Sequence, residues 1–360
     1  MNIRLLFTLM IALLALTACN DKDEPDGSSN DSAAVYVSLQ DNGQWYICSL
    51  DGEMIYQAEP NCDIRYIVAD GQDWYAAIDN RKGHWSVVKN GAAIYSPTHY
   101  IHGLGVYHGD FFTLESETLY TYNPPFPPKP CGVVWRILKN GAVLYELDDE
   151  QNSQNNYSNL RLHPSYTGQP DVLVTADNGW GRTPWVNGKP FTLPDVGQES
   201  LVGFDVENNE PLLVYWEPYE ENDETMYSQK YWHNGKSGTI NNDFMLVQPI
   251  LHQGSSYLLG TKVLGEDDNG FTGQAVVIVN GREKPVNTGG DKHQWASQLL
   301  LHGNSMYVMT ASNTGLNRSY IYKDNKLLDT NGTILQPNGK KVKLRDLYFK
   351  NFIVVDRPSE

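Results

Sequence analysis

Short apolar runs of four or five residues, separated by turn residues, follow one another along almost the whole chain. Many of these runs flank an Asn-Gly or Asp-Gly pair, which accepts the positive φ angles of a two-residue β-hairpin. The pairs recur about every 45 residues: Asp51-Gly52, Asn90-Gly91, Asn140-Gly141, Asn187-Gly188, Asn234-Gly235, Asn280-Gly281 and, with asparagine replacing glycine, Asp324-Asn325. This pattern predicts seven repeats, each ending in a hairpin.

An inner pair of strands is predicted before each hairpin. Its second strand is an almost continuous apolar run at residues 74–78, 111–114, 172–176, 212–215, 257–260 and 306–309. A strand that is covered on both faces has this composition. Four strands in each repeat of about 45 residues, with no long amphipathic helix, predict an all-β fold, a seven-bladed β-propeller of four-stranded blades.

The two ends of the propeller, residues 34–360, are predicted to share one blade. The first repeat begins with residues 35–39 and lacks a clear innermost strand, whereas residues 342–355 look like an inner pair with no hairpin after it. An open ring would expose two sheet edges. We therefore expect the C-terminal segment to supply the missing strand and close the ring. An eighth, split blade is the alternative, since residues 352–355 look like one strand too many.

Residues 1–18 have the organisation of a signal peptide. Arg4 supplies the positive charge and residues 5–16 form an apolar core that is too short to span a bilayer. The next residues, Leu16-Thr17-Ala18-Cys19, resemble the lipobox of bacterial lipoproteins. The resemblance implies that Cys19 becomes the first mature residue, carries a lipid and anchors the protein to a membrane.

Residues 19–33 form a predicted flexible linker rich in Asp, Ser, Asn and Gly. The acidic stretch at residues 20–24, Asn-Asp-Lys-Asp-Glu, resembles the export signal that Bacteroidetes place after the lipidated cysteine of surface lipoproteins. Asp31-Ser32-Ala33 matches the O-glycosylation acceptor pattern of that phylum, with Ser32 as the acceptor. Together with the hairpin repeats, the chain resembles the β-propeller surface lipoproteins of Bacteroidetes. That implies a lipid-anchored protein of the outer membrane, exposed at the cell surface, and brings no activity motif.

Charge and residue spacing narrow the range of partners. The net charge of −16 argues against nucleic acid as a binding partner, because nucleic acid requires a cationic surface on the protein.

Three cysteines remain beyond Cys19: Cys48, Cys62 and Cys131. A Cys48–Cys62 disulfide and three buried thiols are both possible. No Cys-x-x-Cys occurs, and we predict neither a metal site nor a cofactor.

Four histidines occupy the same turn position in different repeats. They are His108, His163, His252 and His302. We expect them to close turns and to be spread around the ring, because equivalent positions of different blades do not converge on one ion.

Five segments interrupt the repeat, and we expect the ligand site there. They are residues 120–130, 151–157, 178–182, 217–226 and 265–272. Several join the second strand to the third, so they should lie at one end of the ring. The acidic parts, 217–224 and 266–268, are predicted to be solvated loops. Phe126, Trp180 and Tyr219 are the candidate ligand-binding residues, because aromatic rings beside polar groups suit a sugar.

The sequence favours a binding module over an enzyme, with a polysaccharide or an outer-membrane protein as partner. The alternatives are a glycan-cleaving hydrolase or lyase and a structural subunit of an outer-membrane protein assembly. Glycoside hydrolysis requires a pair of carboxylates about 5–9.5 Å apart. Sequence alone does not select such a pair from the 43 acidic residues.

Overall fold

A computed structural model describes residues 33–357, except 123–126, 148–154, 166, 178, 180, 195–199, 222–223, 269, 313–317 and 336–338. Cys19, Ser32, Phe126 and Trp180 therefore lie outside the described residues. The described chain forms seven antiparallel four-stranded sheets, the blades of a β-propeller. The hairpin period therefore predicts both fold class and blade number correctly. No helix among the described residues has the length and apolarity needed to cross a membrane.

Within a blade the strands run antiparallel, and the first strands of neighbouring blades contact one another around the centre. We number the blades in chain order and give the strands of each blade from the innermost outwards. Blade 1 consists of Phe349–Asp356 (β30), Ala33–Asp41 (β1), Gln44–Ser49 (β2) and Met54–Gln57 (β3). Blade 2 consists of Asp63–Asp70 (β4), Asp73–Asp79 (β5), Trp85–Lys89 (β6) and Ala92–Tyr95 (β7). Blade 3 consists of Tyr100–Tyr107 (β8), Asp110–Thr121 (β9), Lys129–Lys139 (β10) and Ala142–Glu146 (β11).

The remaining blades follow the same order. Blade 4 consists of Asn156–His163 (β12), Asp171–Asp177 (β13), Arg182–Val186 (β14) and Lys189–Pro190 (β15). Blade 5 consists of Leu201–Glu207 (β16), Glu210–Glu221 (β17), Glu224–His233 (β18) and Lys236–Ile240 (β19). Blade 6 consists of Phe244–His252 (β20), Ser255–Asp267 (β21), Gly270–Val279 (β22) and Arg282–Pro285 (β23). Blade 7 consists of Gln294–His302 (β24), Ser305–Ser312 (β25), Ser319–Lys323 (β26) and Lys326–Leu327 (β27).

The C-terminal strand closes the ring, as the sequence predicts. Strand β30 pairs with β1 from Ala33↔Asp356 to Leu39↔Phe349. The alternative of an eighth, split blade is wrong. Among the described residues between blade 7 and β30, two short extra strands, Thr333–Leu335 (β28) and Lys341–Lys343 (β29), pair with each other, and a 3-10 turn, Leu344–Asp346, follows.

The core consists of seven apolar clusters, one at each interface between neighbouring blades. Strand β30 shows why the apolar runs are continuous. Phe352 and Val354 pack against blade 7, while Ile353 and Val355 pack against blade 2. Successive side chains of a strand point to opposite faces, and both faces of a blade are covered.

The turn asparagines have a second role beyond their positive φ angles. In five blades the turn side chain accepts a hydrogen bond from the backbone N–H at the start of the second strand. The pairs are Asn90–Trp74, Asn140–Phe111, Asn187–Val172, Asn280–Ser256 and Asp324–Met306, at 2.8 to 3.0 Å. Asp324 replaces asparagine in this role because only an acceptor oxygen is needed.

The three cysteines of the described chain are free thiols. Cys48 and Cys62 are buried, and Cys131 is exposed. The alternative of a Cys48–Cys62 disulfide is therefore wrong, as is the burial expected for Cys131. Burial raises the pKa of Cys48 to about 12, so its thiol is protonated and unreactive.

Candidate functional site

Every blade carries a β-bulge near the start of its innermost strand. The residues skipped in the pairing are Lys350, Arg65, His102, Asn159 with Leu160, Val202, Val247 and Ser297. A bulge leaves the extra residue unpaired and re-aims its side chain. The innermost strands surround the central channel, so one bulge on each of them gives a ring of sites around it. We call these residues the bulge ring.

The bulge ring lies at the end of the propeller where the second and third strands connect. In an antiparallel four-stranded blade, the start of the first strand and the connection from second to third strand share one end. We call this end the entry face. The Asn-Gly hairpins join third to fourth strands and therefore lie at the opposite end.

Blades 1 to 3 contribute basic or imidazole side chains to the bulge ring, in a chain whose net charge is −16. The Nζ of Lys350 lies 5.1 Å from the centre of the Trp45 ring, and burial, with the neighbouring Arg65, lowers the pKa of Lys350. Arg65 is held by Asp79 at 2.9 Å. His102 lies 2.7 Å from the Ser116 hydroxyl, and burial lowers the pKa of this imidazole, so it is neutral at pH 7. In blades 5 to 7 the equivalent residues are uncharged.

Blades 4, 5 and 6 line a cavity of about 160 Å³ that reaches the bulge ring. Three bulged residues, Asn159, Val202 and Val247, line it. The other lining residues form a polar group and an apolar group. The polar group consists of Arg161, Thr175 and Arg182. The apolar group consists of Leu173, Leu201, Phe204, Leu246 and Pro249, and Gly203 completes the lining.

Two guanidinium groups are fixed at this cavity. Arg161 reaches from blade 4 to blade 6, where its Nη1 donates to the carbonyl oxygen of Pro249 at 2.6 Å. Arg182 donates from Nη1 to the carbonyl oxygen of Val202 at 2.7 Å, which ties blade 4 to blade 5. These bonds hold the arginines in place and use only some of the five N–H donors of each.

A buried carboxylate lies beneath the cavity and links three blades. Asp205 of blade 5 is 0% exposed. It accepts a hydrogen bond from His163 Nε2 of blade 4 at 2.8 Å and one from the Leu251 N–H of blade 6 at 2.7 Å. Arg161 Nη1 lies 3.6 Å from the same carboxylate.

The histidines predicted to close turns are distributed over four blades, as expected, but two of them have a different role. His163 and His302 bond to carboxylates of the next blade, Asp205 and Asp356, the latter at 2.9 Å. They lie at the end of the innermost strand, where adjacent blades are close enough for a side chain to bridge them. His108 does sit in a turn, with φ of 51°.

The described parts of the segments that interrupt the repeat lie at the entry face, as predicted. The two acidic ones are not loops, which corrects the sequence interpretation. Strands β17 and β18 remain paired as far as Glu221↔Glu224, and β21 and β22 as far as Asp267↔Gly270. Their backbone groups pair with each other beyond the body of the blade, so the polar composition reflects exposed strands.

Tyr219 is the one candidate ligand-binding residue that lies within the described chain. It faces Met226 across the β17–β18 hairpin, and its side chain is 38% exposed. Other exposed aromatic residues occur on the long hairpins of blades 3, 5 and 6. They are Tyr120, Tyr122, Tyr227 and Phe271.

Sequence reasoning missed Arg161 and Arg182. Arg182 stands at the end of segment 178–182, which the sequence singled out only for its tryptophan. Arg161 interrupts the apolar pattern of an innermost strand, and that irregularity was its only signal. Their convergence depends on the packing of three blades.

A second pocket, of about 190 Å³, lies between blades 2 and 3. Glu115 and Glu117, two residues apart on β9, both line it. Burial raises the pKa of Glu115, which is 1% exposed and accepts a 2.7 Å hydrogen bond from Thr113. Arg136, at 2.7 Å, lowers the pKa of Glu117. The two carboxyl groups therefore differ in protonation over a range of pH.

No protein-family model and no curated protein matches the chain. Among solved structures, it is similar to the β-propeller domain of the Trilobed protease from Pyrococcus furiosus, with 11% identity over 83% of this chain and 92% of that chain, at a TM-score of 0.49. It is similar to the Pyrococcus horikoshii acylaminoacyl peptidase at 11% identity, over 83% of this chain but only 50% of that one, at a TM-score of 0.49. A GH43 endo-arabinanase from Bacillus licheniformis has 10% identity over 85% of this chain and 95% of that chain, at a TM-score of 0.29. These likenesses carry no argument about activity.

Proposed function

We propose that the protein is a binding module and that its ligand, a glycan, enters the cavity lined by blades 4, 5 and 6 from the entry face. The observation that supports this most directly is that the cavity lining is partly polar and partly apolar. Arginine, amide and hydroxyl groups lie among aliphatic and aromatic side chains. A sugar ring presents hydroxyl groups at its edge and apolar C–H groups on its faces, so both kinds of wall have a matching surface.

The size of the cavity suits one sugar ring. Cavities of about 150 Å³ hold a six-membered aromatic molecule, and this one measures about 160 Å³. Further sugar units would extend towards the long hairpins, where Tyr120, Tyr219 and Phe271 are exposed. Flat aromatic surface with polar neighbours supports stacking on a sugar.

The N-terminal sequence supports a location for this module. We propose that Cys19 carries a lipid, that residues 19–33 act as a tether at the outer membrane, and that the propeller faces the outside of the cell. In that position the module would collect polysaccharide from the surroundings.

Filling the cavity tests the binding proposal. Val247 and Ile94 are both 42% exposed, but Val247 lines the cavity and Ile94 lies on the outermost strand of blade 2. A glycan found by array screening should bind the wild type and Ile94→Phe equally in calorimetry, whereas Val247→Phe should abolish binding. Unchanged binding by Val247→Phe would place the ligand elsewhere.

Glycoside hydrolysis is the second candidate function, and the pair Glu115 and Glu117 favours it. The Cα atoms of residues two apart on a strand are separated by about 6.8 Å, a spacing that allows their carboxyl groups to reach the separation of about 5–9.5 Å used by glycosidases. Protonated Glu115 would give its proton to the leaving oxygen, and ionised Glu117 would remove a proton from the attacking water. Release of nitrophenol from aryl glycosides should then disappear in Glu115→Gln and Glu117→Gln.

Glu146 provides the control for this test. It bonds to the same Arg136, at 3.2 Å, and is 59% exposed. Turnover that persists in both variants of the pair, or is lost equally in Glu146→Gln, would exclude the hydrolase. Co-purification with a fixed outer-membrane protein, without glycan binding, would instead favour a structural subunit.

A further inference from the structure

The cavity lined by blades 4, 5 and 6 offers more than a surface for neutral sugars. Resting on the proposed function, we infer that it selects a glycan unit that bears a carboxylate, a uronic acid, and that Arg161 and Arg182 recognise the carboxylate. Two guanidinium groups, the carboxylates near them and an apolar surface meet at this cavity.

Each arginine is held by a backbone carbonyl oxygen, which orients the guanidinium plane without adding a negative charge beside it. Arg161 bonds to Pro249 and Arg182 to Val202. A carbonyl oxygen is neutral, so each cation still lacks a full counter-charge there. Planar N–H forks of this kind match a carboxylate, which accepts two parallel hydrogen bonds.

The nearby carboxylates are engaged more closely by other donors. Asp205 is 3.6 Å from Arg161, but its two oxygens accept shorter bonds from His163 and Leu251. Asp177 accepts a 2.9 Å bond from the Gly179 N–H, whereas Arg182 Nε lies 3.4 Å from it. Within the described chain, each guanidinium therefore has one carboxylate partner, at 3.6 Å for Arg161 and 3.4 Å for Arg182, and both distances are longer than the bonds to the carbonyl oxygens.

The apolar part of the cavity lining makes a small inorganic anion a poor match. Leu201, Phe204 and Leu246 line the same cavity and would be left against water by an ion that fills only the polar side. A uronic acid covers this wall with the apolar C–H face of its ring while its carboxylate meets the arginines. The Asn159 amide donates to the Thr175 hydroxyl at 3.5 Å, and the further donors and acceptors of both groups can meet ring hydroxyls.

Calorimetry with a matched pair of oligosaccharides tests the inference. We would titrate the purified protein with a galacturonate trisaccharide and with the corresponding galactose trisaccharide. The acidic sugar should bind at least about tenfold more tightly, since a hydrogen bond to a charged group contributes more than one between neutral groups. This preference should decrease as the salt concentration rises.

Arg182→Gln should remove the preference, because it should weaken galacturonate binding much more than galactose binding. Arg282→Gln is the matched control, because Arg282 is exposed on the opposite end of the ring, beside the Asn280-Gly281 turn. Arg161→Lys keeps the charge above Asp205 but loses the fork, so it should weaken galacturonate binding severalfold with an unchanged melting temperature.

The outcomes separate this inference from the proposed function. Equal binding of the two trisaccharides, or equal weakening of both by Arg182→Gln, overturns the carboxylate selection and leaves glycan binding standing. Binding of neither trisaccharide overturns both. Tighter binding of a sulfated than of a carboxylated trisaccharide also overturns the inference, because it shows a response to charge without the planar geometry.

Discussion

Replacing Asp205 with alanine should destabilise the propeller more than any exposed charge substitution. Asp205 is completely buried and is the acceptor for His163 of blade 4 and for the Leu251 N–H of blade 6. Its charge also lies 3.6 Å from Arg161. Alanine leaves two buried donors without an acceptor and one guanidinium without a counter-charge.

The expected loss is about 3–5 kcal/mol. A buried donor left without an acceptor costs about 1–3 kcal/mol, and removing one partner of a buried ion pair costs about 3–5 kcal/mol. Asp205→Asn should lose less, about 1.5–3 kcal/mol, because the amide oxygen still accepts from the Leu251 N–H but carries no charge for Arg161. The order wild type, Asn, Ala is therefore part of the prediction.

Urea unfolding followed by tryptophan fluorescence measures the difference. Trp232 packs against the cluster between blades 4 and 5 and reports on this interface. Glu283→Ala is the control. Glu283 is 48% exposed and forms an ion pair with Lys262 at 3.5 Å. An exposed pair of this kind contributes less than about 1 kcal/mol to stability. If Asp205→Ala unfolds at the same urea concentration as Glu283→Ala, the linkage of three blades by this carboxylate is refuted.

Three further predictions address the anchor, the turns and pH. Cys19→Ala should move the protein from the membrane fraction to the soluble fraction; persistent membrane association without N-terminal lipid by mass spectrometry would contradict the lipobox assignment. Gly188→Ala should cost more stability than Gly235→Ala, because both have positive φ but only the former places a Cβ 2.7 Å from Tyr145; equal urea midpoints would count against the clash. Burial raises the pKa of Glu115 above 4.5, so the stability from its protonated form is complete below that pH and is lost as the pH rises through the folded-state pKa. Glu115→Gln should therefore melt higher than the wild type at about pH 8 but not at about pH 4, and a constant difference across pH would exclude this reasoning.

The repeat was predictable because its signals are local. A hairpin turn requires positive φ at neighbouring residues, and Asn-Gly meets that requirement within two positions. The apolar runs predict strands covered on both faces, which β30 confirms with Phe352 and Ile353 on opposite sides. Ring closure followed from the need to satisfy two sheet edges.

Local sequence signals gave the wrong structure or role where a residue contacts a distant part of the chain. The polar residues 217–224 were interpreted as a loop because composition does not show that two exposed segments pair with each other. Similarly, the position of His163 in its repeat predicts a turn, whereas its hydrogen-bond partner, Asp205, belongs to the next blade.

The sequence by itself determined the fold class, the number of blades and the strand that closes the ring, since these follow from periodic local preferences. It also determined which segments reach the entry face, because strand order assigns each connection to an end. Only the tertiary structure decided the site. Arg161 reaches the carbonyl oxygen of Pro249, 88 residues away, and Arg182 joins it only because blades 4 and 5 pack side by side. The distance between such side chains is set by the packing of separate sheets, which no local pattern records.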